Sequence, residues 1–148
     1  MGQYAVIGKT DQPDSSALQL FKTLSGLISD KKMLYDILKE CLNAPDDFRI
    51  SSIYFSTVYG IIDLLGETEK SIYIIEIKKD AAKHDIIEQV HKYMFHFKLR
   101  MNYKLWDKVI GVVIANSFHD YTLKELLKAN IQCVKYSFQD NNLRMKKI

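Results

Sequence analysis

Two apolar runs near the middle of the chain contain charged side chains that such runs normally exclude. Residues 59–66 include Asp63, and residues 71–79 include Glu76 and Lys78. An ionised carboxylate surrounded by Ile and Leu side chains is strongly destabilising unless a cation or hydrogen bonds satisfy it. The two runs therefore indicate a functional site, and a divalent metal ion is the simplest partner for two acids.

Strand geometry brings these charges together. Glu76 and Lys78 are two positions apart, so on a strand both side chains point to one face. Residues 66–70 have the Gly and polar content of a hairpin loop. If the runs pair antiparallel around that loop, Asp63 lies opposite residue 72 or 74, about one diagonal step from Glu76. A slip of one residue would place the acids on opposite faces.

The remaining apolar periodicities predict an α/β fold with alternating helices and strands. A break at residues 11–16 is followed by helical spacing, and a short strand or an unstructured tail is expected over residues 3–8. Asp120 or Thr122 is the expected cap of the last helix. The predicted elements are a helix over 17–42, divided near 29–32, then strand 49–56, the hairpin, helix 81–101, strand 108–115, helix 121–129 and strand 131–138.

Length and composition limit the class of protein. A chain of 148 residues supports one domain over 1–148, with 1–16 as a flexible or accessory segment. No apolar run approaches the roughly 18 residues of a membrane span, so no membrane partner is expected. Two cysteines, Cys41 and Cys133, form no disulfide framework, which favours a reducing, cytoplasmic location. The net charge of +3 is compatible with nucleic acid without establishing it.

The charged hairpin, followed by Gln89 and Tyr93 on the next helix, resembles the PD-(D/E)xK nuclease superfamily. In that superfamily an Asp lies on one strand and Glu-x-Lys on the next, as Asp63, Glu76 and Lys78 do here. Gln89 and Tyr93 resemble the Gln-x-x-x-Tyr motif of NucS-like and archaeal Holliday-junction resolvase-like nucleases. The resemblance covers residues 30–115 and implies a restriction-endonuclease-like core. That core is a central mixed sheet flanked by helices, in the order α-β-β-β-α-β, plus a C-terminal helix and strand.

The resemblance also implies metal-dependent hydrolysis of DNA phosphodiester bonds. Asp63 and Glu76 would bind Mg²⁺ or Mn²⁺ through hard oxygen ligands, together with the carbonyl of Ile77. Lys78 would orient the attacking water or stabilise the charge that develops on the phosphate. Gln89 would hold Lys78, a water or the phosphate, and with Tyr93 it completes the predicted catalytic set.

Two features depart from the pattern of the superfamily. The Pro that often precedes the motif Asp is replaced by Ile62. Many members carry a further metal-site acid on the first helix, for which Glu40 is the leading candidate and Asp36 and Asp30 are alternatives. The first thirty residues have no clear counterpart in the superfamily.

The substrate and assembly follow from the same resemblance. A structure-preferring nuclease would act on junction, flap or single-stranded DNA, and a homodimer is expected, as in the resolvase-like relatives. The alternative is a catalytically inactive domain of the same fold that binds nucleic acid or a protein partner. A more remote possibility is an unrelated α/β domain in which the hairpin charges are structural.

Other motifs have a weaker basis. His84, His91, His96 and His119 lack the spacing of a zinc site. Residues 6–10 end like a phosphate-binding loop, but Gln3 stands where that motif requires glycine. Neither pattern supports a second function.

Overall fold

The computed structural model describes residues 3–6, 31–100, 108–139 and 142–148 of the chain. Within these residues the chain forms seven strands and three helices. In chain order they are β1 (Gln3–Val6), α1 (Lys31–Leu42), β2 (Arg49–Thr57), β3 (Gly60–Glu67), β4 (Ile72–Ala82), α2 (Asp85–Arg100), β5 (Val109–Phe118), α3 (Asp120–Lys128), β6 (Gln132–Gln139) and β7 (Asn142–Lys147).

All seven strands form one mixed sheet in the order β1-β7-β6-β5-β4-β3-β2. The central strands β4, β5 and β6 are parallel, whereas the flanking pairs are antiparallel. Parallel neighbours need a crossover connection, and α2 and α3 provide the two that are required here. The mixed α/β class predicted from the sequence is confirmed.

The sheet is covered on both faces, and each face has its own apolar core. Residues of α1 pack on one face against Leu64, Ile75 and Ile77. Residues of α2 and α3 pack on the other face against strand residues that include Ile74 and Val113. Alternation along β4 therefore directs its odd-numbered residues toward α1 and its even-numbered residues toward α2. Glu76 and Lys78 belong to the α2 side.

Gly111 on β5 lets α2 lie close to the sheet. A Cβ atom at this position would come within 2.8 Å of Val90 Cγ1 and 2.9 Å of Met94 Sδ. Real Cβ atoms do not approach other atoms so closely, so any side chain here would push the helix outward. The absence of a side chain at Gly111 thus fixes the height of α2, the helix that carries Gln89 and Tyr93, above the sheet.

The ends of the sheet differ from the prediction. Residues 142–147 form β7, a strand that the sequence pattern does not predict, because among Arg144, Met145, Lys146 and Lys147 only Met145 is buried. Residues Gln3–Val6 form β1 and pair with β7, so these residues are a strand and not an unstructured tail. The helix predicted over 17–42 is described only from Lys31 onward, and its first part lies outside the described residues.

Other boundaries also shift. The N-cap of α3 is His119 rather than Asp120 or Thr122, and its side chain makes no capping hydrogen bond. Strand β4 continues to Ala82, so α2 begins at Asp85 and not at residue 81. None of the helices in the described part of the chain is long and apolar enough to span a membrane.

Candidate active site

The hairpin β3–β4 pairs Leu64 with Ile75 and Glu67 with Ile72. The same register, continued by one residue, places Asp63 directly opposite Glu76. The predicted partner of Asp63, residue 72 or 74, is therefore wrong. Gly66 belongs to β3 instead of the turn and pairs with Tyr73. The turn is consequently centred later in the chain than expected, with the Thr68 N–H donating to the Ser71 carbonyl at 2.9 Å.

Strand β3 leaves β4 at the acidic pair. Backbone pairing between the two strands ends at Leu64 and Ile75. Beyond that point the Ile77 N–H donates to Oδ2 of Asp63 at 2.8 Å. A side-chain carboxylate thus accepts the hydrogen bond where a backbone carbonyl of β3 would have been the ladder partner. Because a strand residue directs its N–H and C=O toward the same neighbour, the Ile77 carbonyl also faces this gap.

Glu76 is buried, with 2% of its surface exposed. Its Oε1 atom has no hydrogen-bond partner among the described residues. Burial, followed by the charge of Asp63, raises the pKa of Glu76 to about 9. Burial also raises the pKa of Asp63, which is half-buried, although the Ile77 N–H opposes that effect. The two carboxyls therefore do not both ionise readily without a cation between them.

This arrangement fits a hard divalent cation. The donors are carboxylate oxygens and one backbone carbonyl, which are the ligands that Mg²⁺ and Mn²⁺ prefer. The Oε1 atom of Glu76 is buried without a partner, and a bound cation would satisfy it. Asp63, Glu76 and Ile77 are the residues that could hold the ion.

A chain of hydrogen bonds runs from Lys78 into the core. Lys78 Nζ donates to Gln89 Oε1 at 3.1 Å, and Gln89 Nε2 donates to the Tyr93 hydroxyl at 3.3 Å. The Tyr93 hydroxyl in turn donates to the Ile61 carbonyl at 3.1 Å. Tyr93 is 2% exposed, and burial raises its pKa. Gln89 and Tyr93 lie one turn apart on α2, so a rigid helix fixes the position of the Lys78 ammonium group.

The structure therefore brings together five of the predicted site residues, Asp63, Glu76, Lys78, Gln89 and Tyr93. The Ile61 carbonyl, which anchors Tyr93, was not predicted, because a backbone acceptor leaves no signature in the sequence.

The prediction of Glu40 as an additional ligand is not supported. Glu40 is exposed on α1 and lines a separate hollow of about 490 Å³ with Asp36, Lys39 and Asp46. In the described ranges no third His, Cys, Asp or Glu joins Asp63 and Glu76. The reason is the layer structure, since α1 packs on the face of the sheet opposite to the acidic pair. Asp30, the remaining alternative, lies outside the described residues.

Three solved structures resemble this fold. The chain of the EndoMS–dsDNA2 complex matches 69% of this chain with a TM-score of 0.54 and 18% identity. A repair endonuclease from Pyrococcus abyssi matches 72% of this chain with a TM-score of 0.55 and 19% identity. EndoMS in its apo form matches 73% of this chain with a TM-score of 0.54 and 18% identity. The matches cover 40%, 46% and 44% of those chains, so this chain spans less than half of their length.

A comparison with protein families extends the likeness from the fold to the sequence. The model of the endonuclease NucS C-terminal domain matches residues 33–147, which include every described element from α1 to β7 except the first two residues of α1. The resemblance to NucS-like nucleases of the PD-(D/E)xK superfamily is confirmed. The chain belongs to the family of the endonuclease NucS C-terminal domain.

Proposed function

We propose that this domain hydrolyses DNA phosphodiester bonds with the help of Mg²⁺ or Mn²⁺. The observation that carries the proposal is the pair of the half-buried Asp63 and the buried, partly unsatisfied Glu76, both of which feel the charge of Lys78. The family and the Pyrococcus abyssi structure, both of which are named as endonucleases, support the same chemistry.

Each side chain has a separate task in the proposed reaction. A bound divalent ion supplies Lewis acidity toward a phosphodiester oxygen and lowers the pKa of a bound water. Asp63 and Glu76 would hold the ion, for which Glu76 would have to be ionised. Lys78 directs its ammonium group toward the attacking water or the developing phosphate charge. Gln89 restrains Lys78, and Tyr93 restrains Gln89.

The substrate and the assembly are part of the proposal. One acidic pair per chain cuts one strand, so cleavage of both strands requires two copies, and we infer a homodimer. The similarity to an EndoMS–dsDNA2 complex supports DNA as the partner. We propose a preference for junction, flap or single-stranded regions. Light scattering at several concentrations, with and without DNA, measures the assembly directly, and a mass of one chain at every concentration would reject the homodimer.

The compartment is proposed from the cysteines. Cys41 is half-buried and Cys133 is buried, and both are free thiols. Burial raises the pKa of both thiols, to about 11 for Cys133, which keeps them protonated and unreactive. Two thiols without a disulfide are typical of the reducing cytoplasm.

Cleavage assays test the enzymatic proposal. Labelled branched, flap, single-stranded and double-stranded DNA are incubated with the protein and Mg²⁺, Mn²⁺ or EDTA. We expect cleavage that EDTA abolishes and that Asp63→Asn, Glu76→Gln and Lys78→Met each reduce by at least about 100-fold, the scale of losing a preorganised catalytic group. Glu69→Gln, an exposed acid in the β3–β4 turn, is the matched control. DNA binding without cleavage in every metal would instead support the inactive, binding-only alternative.

A further inference from the structure

Tyr54 has a backbone conformation that is rare for its residue type. Its φ angle is 55°, in the left-handed region. The other non-glycine residues with positive φ in the described part of the chain are Asn43 and Asn130. Both are asparagines that follow a helix, where this conformation is common. Tyr54 lies inside strand β2, and an aromatic residue in this conformation is an outlier.

Tyr54 lies across the strand pair from Asp63. On β2 and β3, Ile53 pairs with Leu64 and Phe55 pairs with Ile62. Tyr54 and Asp63 are therefore the two residues between these pairs, in one continuous register. The outlier and the proposed metal ligand occupy the same step of the ladder.

The two-stranded ribbon turns over at that step. Leu64 is buried in the core on the α1 side, whereas Ile62 is buried in the core on the α2 side with Tyr93. Residues two apart on a regular strand point to the same face, so the ribbon must rotate between Leu64 and Ile62. Ile61 is consequently exposed. A left-handed residue is a means of making such a rotation within one step, as it does in bulges.

The rotation creates the gap that the site occupies. Pairing between β3 and β4 ends at Leu64 and Ile75, so the Ile77 N–H is available to the Asp63 carboxylate. We propose that Tyr54 is a positioning residue whose left-handed backbone turns the ribbon and thereby aims Asp63 at Glu76. This inference rests on the proposed function only in taking the two carboxyls as the metal site.

The left-handed backbone at Tyr54 has a second possible role, which is to protect the edge of the sheet. Strand β2 is at the edge of the sheet, and a kinked edge discourages pairing with another strand. That role requires no particular position of Asp63. Measurements on the Asp63 hydrogen bond and on ion binding therefore distinguish positioning from edge protection.

Three substitutions at Tyr54 separate the backbone from the ring. Tyr54→Asn and Tyr54→Gly remove the ring but tolerate the left-handed conformation, whereas the β-branched side chain of Tyr54→Val opposes it. Ser56→Val places the same side chain on an exposed position of β2 whose φ is not positive, and serves as the control. Folding of each variant is verified by circular dichroism.

Two readouts follow the position of Asp63. The first is hydrogen exchange of the Ile77 amide, measured by NMR in metal-free protein, with Asp63→Ala as the reference for a lost hydrogen bond. The second is Mn²⁺ affinity measured by calorimetry. We expect the Ile77 amide of Tyr54→Val to exchange as fast as the Ile77 amide of Asp63→Ala. We also expect Tyr54→Val to bind Mn²⁺ about 10- to 100-fold more weakly than the wild type, the usual range when the support of a metal ligand is lost.

The asparagine and glycine variants decide the origin of the effect. We expect both to bind Mn²⁺ within about two-fold of the wild type, and Ser56→Val to behave likewise, because none of them opposes the backbone conformation. Losses in Tyr54→Asn and Tyr54→Gly equal to the loss in Tyr54→Val would assign the effect to the ring and overturn the proposal. Wild-type affinity and wild-type Ile77 exchange in Tyr54→Val would overturn it as well.

Two further outcomes keep the test decisive. If Tyr54→Val does not fold, Tyr54→Ala takes its place, and an Ala variant equal to the Asn variant in both readouts rejects the proposal. If the wild type binds no Mn²⁺, the proposed function fails. The Ile77 exchange then still decides whether Tyr54 positions Asp63.

Discussion

Replacement of Glu76 by glutamine should make the metal-free protein more stable at neutral pH. The pKa of Glu76 rises from 4.5 to about 9 on folding, mainly because burial disfavours the charged form. Between these two values the folded state binds a proton that the unfolded state releases. Stability is therefore highest below pH 4.5 and falls as the pH rises toward 9. Glutamine has no proton to lose, so Glu76→Gln removes this dependence.

The magnitude follows from the same pKa difference. Each pH unit within the window costs about 1.4 kcal/mol. At pH 7 the wild type has therefore lost about 3 kcal/mol relative to pH 4.5 through this one group. A domain of this size is typically stable by about 5–15 kcal/mol, so the loss is a substantial part of the total.

Urea unfolding in EDTA measures the effect at half-unit steps from pH 5 to pH 8. Other ionisable groups titrate in both proteins, so the informative quantity is the difference in unfolding free energy between Glu76→Gln and the wild type. We expect that difference to grow by about 1.4 kcal/mol per pH unit in favour of the variant. Glu69→Gln, whose parent side chain is exposed to water, should run parallel to the wild type.

A second series with saturating Mn²⁺ tests the link to the proposed ion. An ion that replaces the proton on Glu76 should stabilise the wild type more at pH 8 than at pH 5, and should do less for Glu76→Gln. Parallel stability curves for the wild type and Glu76→Gln in EDTA would refute the reasoning, since they would mean that Glu76 is solvated in solution.

Three further changes test other contacts. Tyr93→Phe leaves the Ile61 carbonyl without its donor, and we expect a loss of about 1–2 kcal/mol in urea unfolding; an unchanged midpoint would show that the bond contributes nothing. Gly111→Val forces α2 away from the sheet and should cost about 1–3 kcal/mol while slowing DNA cleavage, so full activity would argue against the helix as the support of Gln89. Glu40→Gln should cleave DNA at the wild-type rate, because Glu40 lies on the opposite face; a deficient variant would restore it as a ligand.

Much of the site was predictable because strand alternation is a strict geometric rule. Glu76 and Lys78 share a face wherever β4 begins and ends, and helical spacing places Gln89 and Tyr93 on one side of α2. The apolar runs around them predicted the strands, since residues buried on both faces are apolar almost throughout. These inferences required only local periodicity.

The errors arose where packing between distant residues decides. Gly66 suggested a turn, but it lies inside β3, paired with Tyr73 and covered by the Phe48 ring. Half of the residues of strand β7 are basic, and pairing with its neighbours, not its own pattern, makes it a strand. Glu40 as a metal ligand stays a prediction, because helical periodicity does not tell which face of the sheet its helix covers. Tyr54 gave no signal at all, because tyrosine has no preference for the left-handed region.

The reversal of the ribbon beside Asp63 has a mechanical consequence. The hairpin tip, with Val58 and Tyr59 exposed, is joined to Asp63 by a short arm of β3, and the Tyr59 ring contacts His96 of α2. A macromolecule that pressed against the tip would tilt this arm and move one carboxylate relative to the other. Binding of the ion and binding of a macromolecule at the tip would then affect each other, although the tip lies outside the metal site.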